Sequence, residues 1–341
     1  MQTGLLHIAG TIRTEQLWPQ GDSDADTLKM FVGDNEKAFQ FRASPFDNFA
    51  PTQVFRKCEV QGITKKQPIN AQGEITIRLQ GIDAPELHYL PKRYRQNLAE
   101  TSTLVLSSLL QSVGDSPVPC RAFTYVAQPD DVCDIYARVI ADVLVMVGKQ
   151  EISLNKYLVE NGYAFPAFYT SLYPFEILPL TKAAKKAKRR RLGVWGENCY
   201  TLVPFNPAQT LRRGEQSPSG DNVAETPPVA EGEGDNIATA GNDDTGPANF
   251  PKLFRRQCSY ETKNLPAGAG ANGEFTGTLM EYLRQSNDKC YETKKFLEKG
   301  MYIARPDNFS DFFDDDCNLL AEPWDIIFTE KPSKLVGEVE W

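Results

Sequence analysis

Ile77-Arg78-Leu79-Gln80-Gly81-Ile82-Asp83-Ala84-Pro85-Glu86 reads as a strand that runs into a turn. Ile75, Ile77 and Leu79 alternate along one face, which delivers Arg78 to the other. Gly81 and Pro85 then break the strand, and the turn carries two carboxylates, Asp83 and Glu86. An arginine with two carboxylates at this spacing has the parts to hold a phosphodiester, a metal ion and an attacking water. Taken alone, the same residues also describe a solvated charge cluster at a hairpin end.

Two other stretches weigh against that plainer reading. Asp24-Ala25-Asp26-Thr27 precedes a short strand, Leu28-Lys29-Met30-Phe31-Val32, and adds two more carboxylates. Asp134-Ile135-Tyr136-Ala137-Arg138-Val139-Ile140-Ala141 brings a second arginine on a strand expected over Tyr136–Val147. In this order and at these spacings the chain resembles the staphylococcal nuclease (thermonuclease) family, whose pattern is Asp-Gly-Asp-Thr, Arg-x-x-x-x-Asp-x-Pro-Glu and Tyr-Gly-Arg-x-Leu-Ala. The resemblance covers residues 1–200 and implies a metal-dependent nuclease acting on DNA, RNA or both with little sequence preference. It also implies cleavage of the 5′ P–O bond, leaving 3′-phosphate ends.

Carried over residue by residue, the resemblance makes Arg78 and Arg138 the donors to phosphate and Glu86 the general base. Asp26 and Asp83, with the Ala84 carbonyl, become ligands of a hard divalent cation. Oxygen-only ligation favours calcium, with magnesium or manganese as alternatives. Asp24 and Thr27 fall just outside the ligands, and Tyr136 stands where the family has a tyrosine touching phosphate. The chain departs from the pattern at Ala25 for glycine, Ala84 for threonine and Ile135 for a lysine. Competing readings are a non-catalytic scaffold that binds nucleic acid, and a toxin or defence effector controlled through its C-terminal part. The intact Arg78, Glu86 and Arg138 favour an enzyme, because a scaffold needs no base.

Composition sets the outer bounds. The net charge of −8 lies entirely within residues 214–249, which hold eight acidic side chains and no Lys or Arg. The rest of the chain is neutral on balance, so its charge does not oppose a phosphate-rich substrate. Two histidines, His7 and His88, are too few for twin-histidine phosphodiesterase chemistry, and His88 reads as a loop residue. Seven cysteines without a two-residue spacing read as reduced thiols. With neither a basic leader nor a long apolar run, the expected location is cytoplasmic, the nucleus not excluded, and no membrane is involved.

Strands are expected at Leu5–Ile12, Thr27–Val32, Glu74–Gln80, Val118–Val126 and Tyr136–Val147. Helices are expected at Tyr94–Gln111 and at Asn155–Asn161, where Gly162 supplies a stop signal. Five strands with a helix between the third and fourth, and about three helices in all, match an OB-type barrel. Residues 35–73 form an insert rich in aromatics, expected to pack near the substrate face. Residues 182–191 carry seven Lys or Arg, read as a solvated basic face or a nucleic-acid arm, with Trp195 closing the domain. Residues 206–249 read as an acidic flexible linker. Residues 250–341 read as a small α+β module with a helix at Gly277–Arg284, open to a protein partner. Because every candidate catalytic residue precedes residue 140, that module is expected to be dispensable for the chemistry.

Overall fold

The computed structural model describes residues 4–33, 38–59, 63–89, 94–134, 136–196, 212–213, 250–261, 275–286, 288–299 and 305–329 except 316 and 318. Five strands close a barrel: β1 (Gly4–Ile12), β2 (Thr27–Phe31), β3 (Glu74–Leu79), β4 (Val118–Val126) and β5 (Val139–Val147). Around the ring β4 pairs with β5, β5 with β3, β3 with β2 and β2 with β1, and β1 returns to β4 over its whole length. All pairs are antiparallel except β3 with β5, which are parallel and set Arg78 opposite Ile140. The OB-type barrel expected from the strand count is therefore present.

Period-two alternation fills its interior. Leu6, Ile8 and Ile12 of β1, Leu28 and Met30 of β2, Ile75, Ile77 and Leu79 of β3, and Val139, Ala141, Val143 and Val145 of β5 all lie in one buried cluster. Burying a large aliphatic side chain stabilises by roughly 1.5–3 kcal/mol, so this register is strongly fixed. Helix α1 (Ala99–Val113) adds Leu106, Leu109 and Leu110 to the same core. It starts five residues later than the sequence indicates, because Tyr94–Arg95 pair in extended form with Arg212–Arg213 and Leu98 takes a left-handed conformation (φ 65°).

Helix α2 (Leu154–Glu160) begins at Ser153, whose side chain accepts from the Lys156 N–H, and ends at Gly162 (φ +77°). Helix α3 (Pro174–Arg189) carries the basic run and buries Ile177, Leu180, Ala183, Ala184 and Ala187. The aromatic insert extends the sheet beyond β1, with Phe39–Arg42 pairing against Leu5–Ile8 and Ala50–Thr52 against Phe39–Phe41. Among its phenylalanines, Phe39 is buried while Phe46 is 97% exposed.

The C-terminal residues pack directly on the barrel. Phe168–Tyr169 (β6) pairs in parallel with Ile326–Phe328 (β8), which pairs with Lys289–Glu292 (β7). Helix α4 (Pro251–Glu261) places Phe250 6.1 Å from Phe165, and Trp324 lies 5.4 Å from Trp195. Helix α5 (Leu279–Gln285) starts two residues later than expected, at a capping box between Thr278 and Glu281. The segment read as a linker lies outside the described residues, apart from Arg212–Arg213.

Candidate active site

Arg78 leaves β3 on the face opposite the core, between Thr27 of β2 and Ile140 of β5. Gly81 then reverses the chain with φ +75°, and a Cβ there would meet the Leu180 methyl of α3 at 2.7 Å. Only glycine meets both conditions, so the turn is tied to the helix above it. Beyond it Asp83 pairs with Phe165, and Asp83 and Ala84 are each only 2% exposed.

The turn draws the earlier carboxylates to itself. Asp26 Oδ2 accepts from the Ala84 N–H at 2.6 Å and forms an ion pair with Arg78 Nη1. Asp26 Oδ1 accepts from the Thr27 hydroxyl at 3.2 Å, and Asp24 Oδ1 from the Leu87 N–H at 3.1 Å. Arg78 Nη2 reaches Asp83 Oδ1 at 2.5 Å. The Glu86 backbone is pinned by Gln96, whose Oε1 accepts from the Glu86 N–H at 2.9 Å. Asp24, Asp26, Thr27, Arg78, Asp83, Ala84 and Glu86 thus meet in one place, although Asp26 and Arg78 are 52 residues apart.

The contacts that Arg138 and Tyr136 make lie outside that cluster. Asp134 Oδ1 accepts from the backbone N–H groups of Tyr136 and Arg138, and Asp134 Oδ2 pairs with Arg138 Nε at 2.7 Å. This turn, with Ala137 at φ +64°, postpones β5 to Val139, so Tyr136 is outside the strand in which it was expected. The Arg138 guanidinium rests 5.4 Å from the Tyr136 ring, which is 72% exposed. Phe168 is wholly buried and Tyr169 lies against Phe328, as core packing requires.

One member of the cluster has no forerunner in the sequence reading. Arg255, on α4, places Nη2 2.7 Å from Asp83 Oδ2 and Nη1 3.2 Å from Asp83 Oδ1, and Nη1 also pairs with Glu86 Oε1. The next residue, Arg256, faces the other way and makes a two-point contact with Asp288 at 2.5 and 2.7 Å, joined by Lys252 at 3.1 Å. Helix α4 is therefore anchored on one side and inserts its neighbouring arginine on the other.

Charge follows geometry. Burial works against ionisation of Asp83, but Arg255 and Arg78 outweigh it and hold the carboxyl below its usual range. Burial raises Glu86 above its usual range, with Arg255 opposing and Asp83 and Asp26 reinforcing. Asp24 is raised well above normal by burial first, then by Glu86 and Asp26.

The cage expected for a divalent ion is not assembled. Both oxygens of Asp26 and both of Asp83 already accept from N–H or O–H donors. Among the described residues, no three His, Cys, Asp or Glu side chains are grouped to hold a metal. With Arg255 in place, the residues do not fit the ion.

Arg78, Asp83, Ala84, Glu86, Tyr136 and Arg138 all fall in the stretch that matches a known family. Residues 76–197 match the model of the staphylococcal nuclease homologue family. Domains of this family are generally nucleases, hydrolysing phosphodiesters, and typically depend on calcium. Asp24, Asp26 and Thr27 precede the matched stretch and Arg255 follows it. No curated protein matches the chain. Among the described residues no helix is long and apolar enough to cross a membrane.

Proposed function

We propose that the chain is a nuclease that hydrolyses DNA or RNA with low sequence specificity, and that Glu86 is its general base. The observation that carries this reading is the state of the Glu86 carboxylate. Oε1 is fixed by Arg255, while Oε2 has no partner among the described residues and the side chain keeps 14% exposure. A carboxylate held by one oxygen and open at the other is oriented to take a proton from water. As that water attacks phosphorus, the P–O5′ bond breaks. Glu86 receives the water's proton, the departing 5′ oxygen takes one from solvent, and a 3′-phosphate remains.

Negative charge grows on the phosphate oxygens during this step and calls for fixed donors. Arg78 supplies positive charge at the cluster, buried with its ends on Asp26 and Asp83. Arg138 supplies a second guanidinium, whose terminal nitrogens have no partner among the described residues, with Tyr136 exposed beside it for contact with the substrate strand. A calcium ion on Asp26, Asp83 and the Ala84 carbonyl, or magnesium or manganese in its stead, has room only if Arg255 withdraws from Asp83.

The test is incubation of the full chain with end-labelled DNA and RNA, in calcium, magnesium, manganese or chelator, with analysis of the product ends. Cleavage to 3′-phosphate products is the expected result. Retention of the nucleic acid without cleavage in every condition replaces the nuclease reading with that of a binding scaffold.

A further inference from the structure

The contacts of Arg255 leave part of its guanidinium unspent in a telling way. Its end-on fork, one hydrogen each from Nη1 and Nη2, spans the two oxygens of Asp83. The outer hydrogen of Nη1 goes to Glu86 Oε1. The side-on fork, formed by Nε–H and the Nη2–H beside it, has no partner among the described residues, and the side chain is 22% exposed. A guanidinium fork matches two oxygens of a phosphate in a way an ammonium does not. The open fork therefore lies on the same group that holds the half-open Glu86.

The charge count points the same way. Without Arg255, the three carboxylates of Asp26, Asp83 and Glu86 would be left, among the described residues, with Arg78 on Asp26 and Asp83 and no cation on Glu86. Such an excess of negative charge repels a phosphodiester, and more strongly in a buried site than in water. In the family a divalent ion removes this excess. Here the four oxygens of Asp26 and Asp83 already accept from donors, and a cation stands between Asp83 and Glu86.

Three features make Arg255 a built part of the site. Arg256 and Lys252, on the same helix, are fixed by the buried Asp288. Phe254 is 1% exposed and packs with Tyr94 and Cys258. The Ser259 hydroxyl donates to the Arg255 carbonyl at 2.8 Å, which ties the next turn of the helix to that residue.

Building on the nuclease reading, we propose that Arg255 is a catalytic residue, the cation that this chain supplies to its own site where the family takes a divalent ion. It holds Asp83 and Glu86 with three of its donors and receives the scissile phosphate on the other two. The C-terminal residues then complete the active site.

The experiment uses the full chain as wild type, R255Q and R255K. Each is assayed for cleavage of labelled single-stranded DNA and RNA with calcium or with chelator, and for calcium binding by calorimetry. The wild type is expected to cleave equally well in chelator and to bind no calcium at Asp83. Both variants should lose about 100-fold or more in chelator, R255K included, because a lysine keeps the charge but not the fork. R255Q should acquire calcium binding that the wild type lacks. A variant as fast as or faster than wild type overturns the proposal, and so does stoichiometric calcium binding by a wild type that chelation inactivates. Circular dichroism separates loss of chemistry from loss of fold, and R255K, the milder change, serves if R255Q does not fold. Absence of cleavage by the wild type in every condition removes the nuclease reading instead, and this proposal with it.

Discussion

Replacing Glu86 by glutamine preserves the shape of the side chain and its bond to Arg255 but removes its ability to accept a proton. The variant is expected to fold and bind substrate normally and to lose about 10²–10⁴-fold in turnover, the usual cost of removing a general base. Single-turnover rates with labelled substrate check this, and a near-normal rate removes Glu86 from the role. A second residue makes a prediction about stability. Burial raises Asp142 from its ordinary value of 3.8 to about 6, against the opposing hydrogen bond from Ser153. A carboxyl with a raised value in the folded state is neutral in both states at low pH, so it costs nothing there. As pH climbs from about 4 to about 6, the unfolded chain ionises first and the folded chain loses about 2–3 kcal/mol relative to it. The D142N variant should therefore melt higher than wild type at pH 8, with the gap closing towards pH 4. Thermal melts at the two pH values decide it, and a gap that stays constant contradicts burial as the cause.

Helix α4 is the element that joins the chemistry to the C-terminal residues, and Asp288 is what holds it. Asp288 is 3% exposed and bonds both Arg256 and Lys252, which keep its carboxyl below the usual range despite burial. The D288A variant leaves two half-buried cations without their partner, a loss of about 3–5 kcal/mol by analogy with other broken buried pairs. Urea titration should show that loss, and cleavage should fall alongside it as Arg255 loses its support. Full activity in a destabilised D288A uncouples the helix from the site. Element by element, legibility in the sequence tracks how local the cause is. Strand β3 and its turn were readable because alternation, Gly81 and Pro85 act over a few residues. The start of α1 was not, since Tyr94–Arg95 are held extended by Arg212–Arg213, more than a hundred residues away. No sequence pattern announces that Asp134 folds its own turn and keeps Arg138 off the strand. Arg255 was missed altogether. Its partner Asp83 is 172 residues distant, and nothing in the Arg255-Arg256 pair tells which one faces the barrel.

At the scale of the whole molecule, the basic run of α3 does more than face solvent. Lys188 pairs with Glu322, and Lys185 and Lys188 both lie 5.7 Å from the Trp324 ring. Together with the pairing of β6 with β8 and the contact of Phe250 with Phe165, this gives the C-terminal residues a continuous core with the barrel. Residues 206–249, acidic, rich in Pro and Gly and without aromatics, are where a protease is expected to cut first. After that cut the two pieces should remain together and elute at the size of the intact chain on gel filtration. Pieces that separate at moderate salt contradict the shared core. The order of synthesis gives the position of Arg255 a last consequence. The ribosome releases the barrel, with Arg78 and Glu86 already on it, well before helix α4 leaves the exit tunnel. With Arg255 as the cation, a nascent or prematurely terminated chain carries the nuclease motifs but not the chemistry. Messenger RNA close to the ribosome is then exposed to this activity only after translation has passed the codons of helix α4 and the helix has emerged.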